Sequence, residues 1–222
     1  MPFPDAPIPA ADAAQGQEVP GRGAGRAHLA AHERILEAAR DLFCRDGIHA
    51  TGIDRILRES GASKMTLYNR FGSKEALLRE VLHREGAEWR AAFFAAVEAA
   101  GPDPAERLHA VIPALRAWFT GGRFYGCAFM NAAAEHAKCG PAGAKDGGGE
   151  PWLRAMTAEH HAAIIGFLVG LAREAGHAEP EILARQVLLV VDGAIAALMV
   201  GGDAAVLDIA ARNLRAVLAQ AG

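Results

Sequence analysis

The first regular pattern in the chain is a stripe of apolar residues that return every three or four positions, as on one face of an amphipathic helix. The stripe begins after about His32 and consists of Ile35, Leu36, Ala39, Leu42 and Phe43. Asp46-Gly47 follows it, and glycine is frequent directly after a helix because it adopts positive φ without strain. The pattern therefore predicts a first helix over about 32–46.

Three more helices are predicted at close spacing, because a hydroxyl residue that can act as an N-cap precedes each one. Thr51, Ser63 and Ser73 each stand before a stretch with apolar residues on one face. The side-chain oxygen of an N-cap accepts a hydrogen bond from an N–H group of the first turn that has no partner within the helix. The predicted helices cover about 51–60, 64–71 and 73–100.

The remainder of the chain also has helical patterns, and no segment has a convincing strand pattern. Asp103-Pro104 combines an N-cap with proline in the first helical position. Pro113 lies inside the same predicted helix, where proline produces a kink or a break. Further helices are predicted over about 104–120, 127–138, 151–174, 180–200 and 204–219, with a flexible glycine-rich loop at 140–149. The sequence thus predicts an all-α protein with about nine helices.

Residues 1–28 are rich in Pro, Ala and Gly and have no apolar period, which predicts a disordered tail. The tail has no basic start followed by an apolar run, so we do not expect it to be a secretory signal. Arg22 and Arg26 stand near its end. A basic arm that touches DNA is therefore the alternative to a solvated linker.

The composition is typical of a soluble globular protein, since 51% of the 222 residues are apolar and 22% are charged. The longest apolar stretch, 187–200, is interrupted by Asp192 and Gly193 and is shorter than the roughly 20 residues that cross a membrane. Three cysteines do not make a disulfide framework, so we expect the reducing cytoplasm and no membrane partner. The net charge of −3 argues against nucleic acid when taken alone, but residues 26–85 carry eleven basic and nine acidic residues.

Residues 51–71, TGIDRILRESGASKMTLYNRF, have the layout of a helix-turn-helix: a first helix, a tight turn with a glycine, and a second helix. In such a motif the second helix enters the major groove of DNA. Leu67 and Phe71 are four residues apart, so they share one face and can pack on the preceding helices. The other face of the second helix is then free to contact DNA.

The residue types on that free face suit DNA. Lys64 neutralises a phosphate, Tyr68 offers a hydroxyl to a phosphate, and Thr66 and Asn69 can reach base edges. Met65 is apolar and expected to be exposed, and a thymine methyl or a sugar would be its partner. Helix N-termini add backbone N–H groups for phosphates. The predicted DNA-binding residues are Thr51, Ser63, Lys64, Met65, Thr66, Tyr68, Asn69 and Lys74.

The run GASKMTLYNRFGSKEALL, preceded by TGIDRIL, resembles the DNA-binding domain of the TetR family of bacterial transcriptional regulators. The usual signature of that family is T-x-x-x-I, then G-x-S-x-x-x-L-Y-x-x-F, then S-K-x-x-L. The resemblance covers about residues 30–85, and a weaker similarity to some members lies in GCAFMNAAAE at 126–135. Leu57, Met65 and Asn69-Arg70 depart from the common residues, and the last two departures predict a different operator. The matching residues are Gly61, Ser63, Leu67, Tyr68, Phe71, Ser73, Lys74 and Leu77.

The resemblance implies a homodimeric repressor with a helix-turn-helix domain over 29–76 and a helical domain for effector binding and dimerisation over 77–222. The first domain would bind a palindromic operator in double-stranded DNA, with two recognition helices one DNA turn, about 34–36 Å, apart. A small-molecule effector in the second domain would favour another spacing and release the DNA. The helix from Ser73 joins the two regions, and our hypothesis is that it transmits the change. The resemblance implies no cofactor, metal site or catalytic site.

The last two predicted helices are expected to form the dimer, because proteins of the TetR family pair through their last two helices. The first of the two is apolar almost all the way round, so it must be buried on several sides. The alternative is that it forms the core of a single subunit. The predicted interface residues are Leu183, Val187, Val190, Val191, Ala194, Leu198, Leu214 and Val217.

The middle helices carry many aromatic residues, and the resemblance implies an apolar effector pocket among them. Asn131, Glu135, His160 and His161 would serve as its polar contacts. The alternative for each of these residues is an ordinary place in the core or on the surface. The predicted pocket residues are Trp89, Phe93, Trp118, Phe119, Phe129, Asn131, Glu135, His161, Ile165 and Leu168.

Two rival functions would use other residues. A thiol- or metal-responsive regulator on the same scaffold would use Cys127 and Cys139, or His136, His160 and His161. The sequence has no HExxH and no paired CxxC motif, so a zinc site is weakly supported. A hydrolase is the remote alternative. The chain has no G-x-S-x-G motif, and we expect no enzyme activity.

Overall fold

The computed structural model describes residues 30–121, 124–137 and 151–220, and every regular element in these ranges is an α-helix. The predicted all-α class is confirmed. The tail predicted over 1–28, the loop predicted over 140–149 and Cys139 lie outside the described residues. The described residues form ten helices: α1 (Ala31–Asp46), α2 (Ile53–Ser60), α3 (Lys64–Phe71), α4 (Lys74–Glu98), α5 (Pro104–His109), α6 (Val111–Thr120), α7 (Ala128–Ala137), α8 (Pro151–Glu174), α9 (Pro180–Gly201) and α10 (Ala205–Gln220).

The helices α3 and α4 begin where their N-caps predict. Ser63 Oγ accepts a hydrogen bond from the N–H of Thr66 at 3.1 Å, and Ser73 Oγ accepts one from the N–H of Ala76 at 3.0 Å. Each bond satisfies a donor that has no partner within its own helix. Two local interactions thus set the start of the two helices that follow the turn.

The predicted N-cap at Thr51 is wrong. Helix α2 begins at Ile53, its N-cap residue is Gly52, and no side chain caps it. The Thr51 side chain is fully buried, and its hydroxyl donates to the carbonyl of Gly47 at 2.7 Å. The hydroxyl therefore stabilises the loop between α1 and α2 instead of the first turn of α2.

The single helix predicted over 104–120 is two helices, which makes ten in place of about nine. Helix α5 ends at His109 and α6 begins at Val111, with Ala110 between them. The cause is Pro113, because it has no N–H to donate to the carbonyl four residues earlier, that of His109, and its ring crowds that carbonyl. The break therefore lies about one turn before the proline.

Two apolar cores fill the described part of the molecule, and α4 runs through both. Near the start of α4, Leu77 and Val81 belong to the core shared with α1, α2 and α3. Near its end, Phe93 and Val97 belong to the core shared with α5, α6, α8, α9 and α10. Helix α7 also reaches the first core, through Phe129. The start of α8 reaches it through Leu153, so the helix-turn-helix region is attached to the rest of the chain by α4, α7 and α8.

Helices α8 and α9 are long and apolar enough, by length and composition, to cross a membrane. Helix α9 extends beyond the apolar stretch 187–200 and spans 22 residues, so its length alone does not distinguish a membrane span from a core helix. Both helices contribute to the second core, through residues such as Leu168 and Val187, and α9 packs along α8 and α10. Burial of this kind is typical of the central helices of a helical bundle.

Candidate DNA interface and central pocket

The turn between α2 and α3 fixes one face of α3 against the first core. Gly61 ends α2 with φ of +62°, in the left-handed region that glycine adopts without strain from a β-carbon. Ile56 of α2 and Leu67 of α3 are both fully buried. Because Leu67 faces the core, the opposite face of α3 is turned outward.

The outward face of α3 carries five exposed side chains: Lys64, Met65, Tyr68, Asn69 and Arg70. Met65 is 72% exposed, an unusual position for a large apolar side chain. Lys64 Nζ lies 6.0 Å from the centroid of the Tyr68 ring, so the cation and the ring are neighbours. The structure thus brings together four of the predicted DNA-binding residues. It adds Arg70, which the sequence indicated only as a departure that alters the operator; a cation beside Asn69 is also suited to a phosphate contact.

Ser63 and Thr66 order the first turn of α3. Their side-chain oxygens lie 2.8 Å apart, and Ser63 also caps the helix. Ser63 is exposed, whereas Thr66 is half-buried. Both predicted residues therefore lie beside the outward face, but the hydroxyl of Thr66 already has a partner within the protein.

Two of the predicted DNA-binding side chains are turned inward. Thr51 is fully buried, so its side chain is not available to DNA. Lys74 Nζ donates to the carbonyl of Ile48 at 2.6 Å and lies 5.9 Å from the Phe43 ring. Burial lowers the pKa of Lys74, and the nearby Glu135 carboxylate acts in the opposite direction. The expectation of a free cation at Lys74 is therefore wrong, because its ammonium holds the loop before α2.

Glu135 of α7 holds the same loop. Its Oε1 accepts the N–H of Ile48 at 2.9 Å, its Oε2 accepts the N–H of His49 at 2.8 Å, and Oε2 also lies 3.0 Å from His49 Nδ1. Burial raises the pKa of Glu135, but these hydrogen bonds outweigh it, and the pKa falls below the ordinary value. Glu135 was predicted in the effector pocket. That prediction is wrong, because the carboxylate binds the α1–α2 loop.

Ion pairs connect α1 to the middle of α4. Arg84 Nη1 lies 2.7 Å from Glu33 Oε2, and Arg40 contacts Glu85 and Glu88. These groups are partly exposed, so each pair contributes little to stability. They nevertheless set the orientation of α1 along α4, and they neutralise Glu85.

A pocket lies between α4, α6, α7, α8 and α9. Its cavity volume is about 30 Å³, which is room for about two water molecules. The pocket is therefore too small in this conformation for a ligand of ordinary size, which needs its walls to move apart. The walls are formed by Glu85, Gly86, Trp89, Trp118, Gly126, Cys127, Ala128, Phe129, His160, His161, Ile164, Leu188, Val191, Asp192 and Ile195.

Four of the ten predicted pocket residues line this pocket: Trp89, Trp118, Phe129 and His161. The other six lie in or against the second core, or on α7 away from the pocket, because helical spacing alone does not indicate which aromatic side chain faces a gap. They are Phe93, Phe119, Asn131, Glu135, Ile165 and Leu168. His160, considered as a polar contact from the sequence, also lines the pocket, and the structure adds two polar residues that the sequence did not indicate, Glu85 and Asp192.

The polar wall of the pocket is formed by His160, His161 and Asp192. His160 is buried, and its Nδ1 lies 2.8 Å from Arg90 Nη1, so Nδ1 accepts a hydrogen bond. Burial, together with the charges of Arg90 and His161, lowers the pKa of His160 to about 4. Burial raises the pKa of Asp192, and His161, whose Nε2 lies 3.7 Å from Asp192 Oδ2, opposes this. The His160 ring is therefore neutral near pH 7.

The described residues of the rival sensor functions lie in two places, and Cys127 lines the pocket together with His160 and His161. His136 packs against His49 with ring centroids 5.3 Å apart, whereas His160 and His161 line the pocket. Among the described residues, no group of three or more His, Cys, Asp or Glu side chains is arranged to hold a metal ion. Burial raises the pKa of the Cys127 thiol, which lowers its fraction in the reactive thiolate form.

Most of the predicted dimer interface is buried within the subunit, because α9 and α10 direct that stripe into the second core. Val190 and Val217 are half-buried. For the six that are buried, the core of a single subunit is the correct interpretation: Leu183, Val187, Val191, Ala194, Leu198 and Leu214. A different apolar set on the same two helices is exposed and consists of Ile182, Leu189, Val200 and Ile209.

Known proteins are similar to this chain in sequence. The sequence model of the family described as bacterial regulatory proteins, tetR family, matches residues 35–81, which include α2 and α3. An uncharacterised HTH-type transcriptional regulator of Mycobacterium tuberculosis is 34% identical to the chain, over 71% of this chain and 96% of the relative. The sequence similarity therefore extends well beyond the helix-turn-helix.

Solved structures are similar over an even larger part of the chain. A TetR-family transcriptional regulator from Streptomyces coelicolor is 28% identical, with a TM-score of 0.74 over 86% of this chain and 95% of that one. A TetR-type transcriptional regulator from Streptomyces avermitilis is also 28% identical, with a TM-score of 0.68 over 87% of this chain and 98% of that one. The arrangement of the ten described helices is thus that of whole regulators.

Proposed function

The chain belongs to the TetR family of bacterial transcriptional regulators, and from this premise we propose that it is a homodimeric repressor with a palindromic operator, released by a small effector in the central pocket. Regulators of this family bind DNA, act as dimers and are generally not enzymes. The observation that carries the proposal is the outward face of α3. It presents Met65, Tyr68 and two cations to solvent while Leu67 is fully buried on the opposite side.

Each exposed side chain of α3 has a role suited to its chemistry. Lys64 and Arg70 neutralise phosphates, which gives affinity for any sequence and makes binding depend on salt. Tyr68 donates its hydroxyl to a phosphate. Asn69 hydrogen-bonds a base edge, and Met65 packs on a thymine methyl, so these two residues select the operator.

The second subunit covers the exposed apolar face of α9 and α10. Ile182 and Leu189 are seven residues apart, and Val200 follows eleven residues later, so the three lie on one side of α9. Leu189 is 74% exposed and Val200 is 92% exposed, and burial of such side chains against an identical copy removes apolar surface from water. A two-fold axis at this face would present two copies of α3 to one palindrome.

The effector acts on the DNA-binding region through α7 and α4. Phe129 of α7 lines the pocket, and Glu135 on the same helix binds the loop before α2. Trp89 of α4 lines the pocket, and Lys74 on that helix binds the same loop. Because the cavity has a volume of only about 30 Å³, a ligand must displace one of these walls. The displacement would lower the population of dimers in which the two copies of α3 have the spacing that fits the operator.

Selection of bound genomic fragments tests the proposal. The purified protein is mixed with fragments of the source genome, and the selected site is titrated by fluorescence anisotropy at two salt concentrations. We expect a palindromic site that is bound far more tightly than random DNA. Asn69→Ala should weaken binding by about 1–3 kcal/mol and relax the preference at one position in each half-site.

Arg173→Ala is the matched control, because Arg173 is an exposed residue at the end of α8, outside the DNA-binding region. It should bind the selected site like the parent protein. A co-purified effector would mask specific binding, so the selection is repeated with protein that has been denatured, freed of small molecules and refolded. If refolded protein with native helicity still has no preferred sequence, the proposal is wrong.

A further inference from the structure

Asp192 forms no hydrogen bond with any described residue, although it lies in the wall of the central pocket. Its Oδ2 is 3.7 Å from His161 Nε2, which is beyond hydrogen-bonding distance. Glu85, the other carboxylate of the wall, differs because Arg40 of α1 neutralises it. A half-buried carboxylate without a donor is costly, and burial raises its pKa accordingly. Asp192 therefore lacks the donor that a ligand can supply.

The apolar walls of the pocket are flat rings. Trp89 and Trp118 meet edge to face with centroids 5.6 Å apart, and Phe129 stacks on His160 with centroids 4.3 Å apart. The face of an aromatic ring attracts a cation because of its quadrupole. Trp89 also has a buried Nε1–H with no acceptor among the described residues. The walls thus favour a flat ligand that carries both polar and apolar groups.

The charges around the pocket favour a cation over an anion. No Lys or Arg is among the described residues that line it, whereas two carboxylates are. Arg90 lies behind the wall, where its Nη1 is 2.8 Å from His160 Nδ1, and the His160 ring remains neutral near pH 7 because its pKa is about 4. An anionic ligand would meet the Asp192 carboxylate, which has only His161 at 3.7 Å and no lining guanidinium or ammonium to balance it.

We propose that the effector is an organic cation, a flat or aromatic body with a protonated amine that donates to Asp192 while its apolar part packs on Trp89, Trp118 and Phe129. The inference rests on the proposed function, in which this pocket is the effector site. It names the chemical class of the ligand and assigns its charged contact to one residue. Asp192 is thereby the residue that determines the charge of the effector.

Three probes with the same phenyl ring test the charge preference: 2-phenylethylammonium, 2-phenylethanol and 3-phenylpropanoate. Their affinities for the full chain are measured by calorimetry and by tryptophan fluorescence. The ammonium should bind at least about ten-fold more tightly than the alcohol, because both can donate to the Asp192 carboxylate but only the ammonium also carries the opposite charge. Asp192→Asn should remove this preference and leave the affinity for the alcohol unchanged, whereas Asp192→Glu should retain it.

Glu159→Gln is the matched control, because Glu159 is an exposed acid on α8 next to His160. It should keep the preference for the cation. The inference is overturned if the ammonium and the alcohol bind equally, if the anion binds best, if no probe binds at millimolar concentration, or if Asp192→Asn keeps the preference.

A parallel titration of protein bound to its selected operator separates this inference from the proposed function. Release of DNA by the ammonium, dependent on Asp192, supports both. Binding that depends on Asp192 but leaves the operator bound supports the cation site and contradicts the effector role. Release of DNA by the anion, unaffected by Asp192→Asn, supports the effector role and contradicts the cation site.

Discussion

The outward face of α3, proposed to read DNA, and the central pocket, proposed to bind the effector, are built in opposite ways. Helix α3 spans eight residues and depends on neighbours in the chain, with Ser63 as its cap and Gly61 in the turn before it. The walls of the pocket come from five helices, between Glu85 and Ile195. On α3, recognition and folding therefore use different residues. In the pocket, most walls are also part of a core, so ligand binding and stability are linked.

Met65 and Leu67, two positions apart on α3, should differ most in how their substitution changes the free energy of unfolding. Leu67→Ala should lower the free energy of unfolding by about 2–5 kcal/mol, because Leu67 is fully buried and leaves a cavity. Met65→Ala should change it by less than about 0.5 kcal/mol, because Met65 is exposed. Urea unfolding measures both values. Equal losses for the two variants would contradict the orientation of α3.

A second contrast lies on α9, between the exposed Leu189 and the buried Val187 two residues before it. Leu189→Glu should yield a folded monomer, because an unpaired charge in an apolar interface opposes association by several kcal/mol. Light scattering at micromolar concentration measures the mass. Ala92→Glu, an equal change at an exposed position of α4, should remain a dimer. A dimeric Leu189→Glu variant would place the interface elsewhere.

The pocket should make stability depend on pH through His160. Its pKa is about 4 in the folded protein against 6.5 ordinarily, so the unfolded chain binds the proton more tightly. The stabilisation is complete above about pH 6.5 and is lost as the pH falls towards 4. His160→Gln should make this dependence shallower by about 1.4 kcal/mol per pH unit in that window. Urea unfolding at a series of pH values tests this, and an unchanged slope would contradict it.

Glu135 connects the two regions, so its removal tests whether they are held together through α7. In the parent protein, one carboxylate oxygen of Glu135 accepts from Ile48 and the other from His49. Glu135→Gln replaces one of these oxygens by an NH₂ group, which donates and does not accept a hydrogen bond. The free energy of unfolding at pH 7 should fall by about 1.5–3 kcal/mol. Because the pKa of Glu135 is lowered by folding, its contribution is present above about pH 4.5 and is lost as the pH falls further.

The difference between Glu135→Gln and the parent protein should therefore shrink in acid. Glu159→Gln, on the exposed side of α8, serves as the control. It should unfold like the parent protein both at pH 7 and in acid. A Glu135→Gln variant as stable as the parent at pH 7 would show that these hydrogen bonds do not hold the loop.

The contrast between local and long-range contacts explains which features of the fold and of the candidate site the sequence predicts. The caps at Ser63 and Ser73 and the outward face of α3 depend on residues within one turn, and local patterns indicate them. Glu135 binds Ile48 from 87 positions away, and no local pattern indicates such a pair. Lys74 illustrates the limit most clearly. Its place in the first turn of α4 is predicted, but the direction of its ammonium depends on the tertiary position of the Ile48 carbonyl.

Apolar periodicity likewise predicts which helices are buried but not which neighbour buries them. The stripe on α9 that contains Val187 was predicted to face a second subunit, and it faces the core of its own. The exposed residues Leu189 and Val200 also recur with helical spacing, but they lie on a different face of α9 from Val187. Only the packing of α8 and α10 against α9 distinguishes the two faces.

The most direct test of the account is the salt dependence of operator binding for the parent protein, Lys64→Ala and Arg173→Ala. Lys64 lies on the outward face of α3, whereas Arg173 is an exposed residue at the end of α8. We predict that Lys64→Ala binds more weakly and that its plot of log affinity against log salt is shallower by about one. Arg173→Ala should match the parent in both respects. If Lys64→Ala also matched the parent, α3 would not be the helix that contacts the operator.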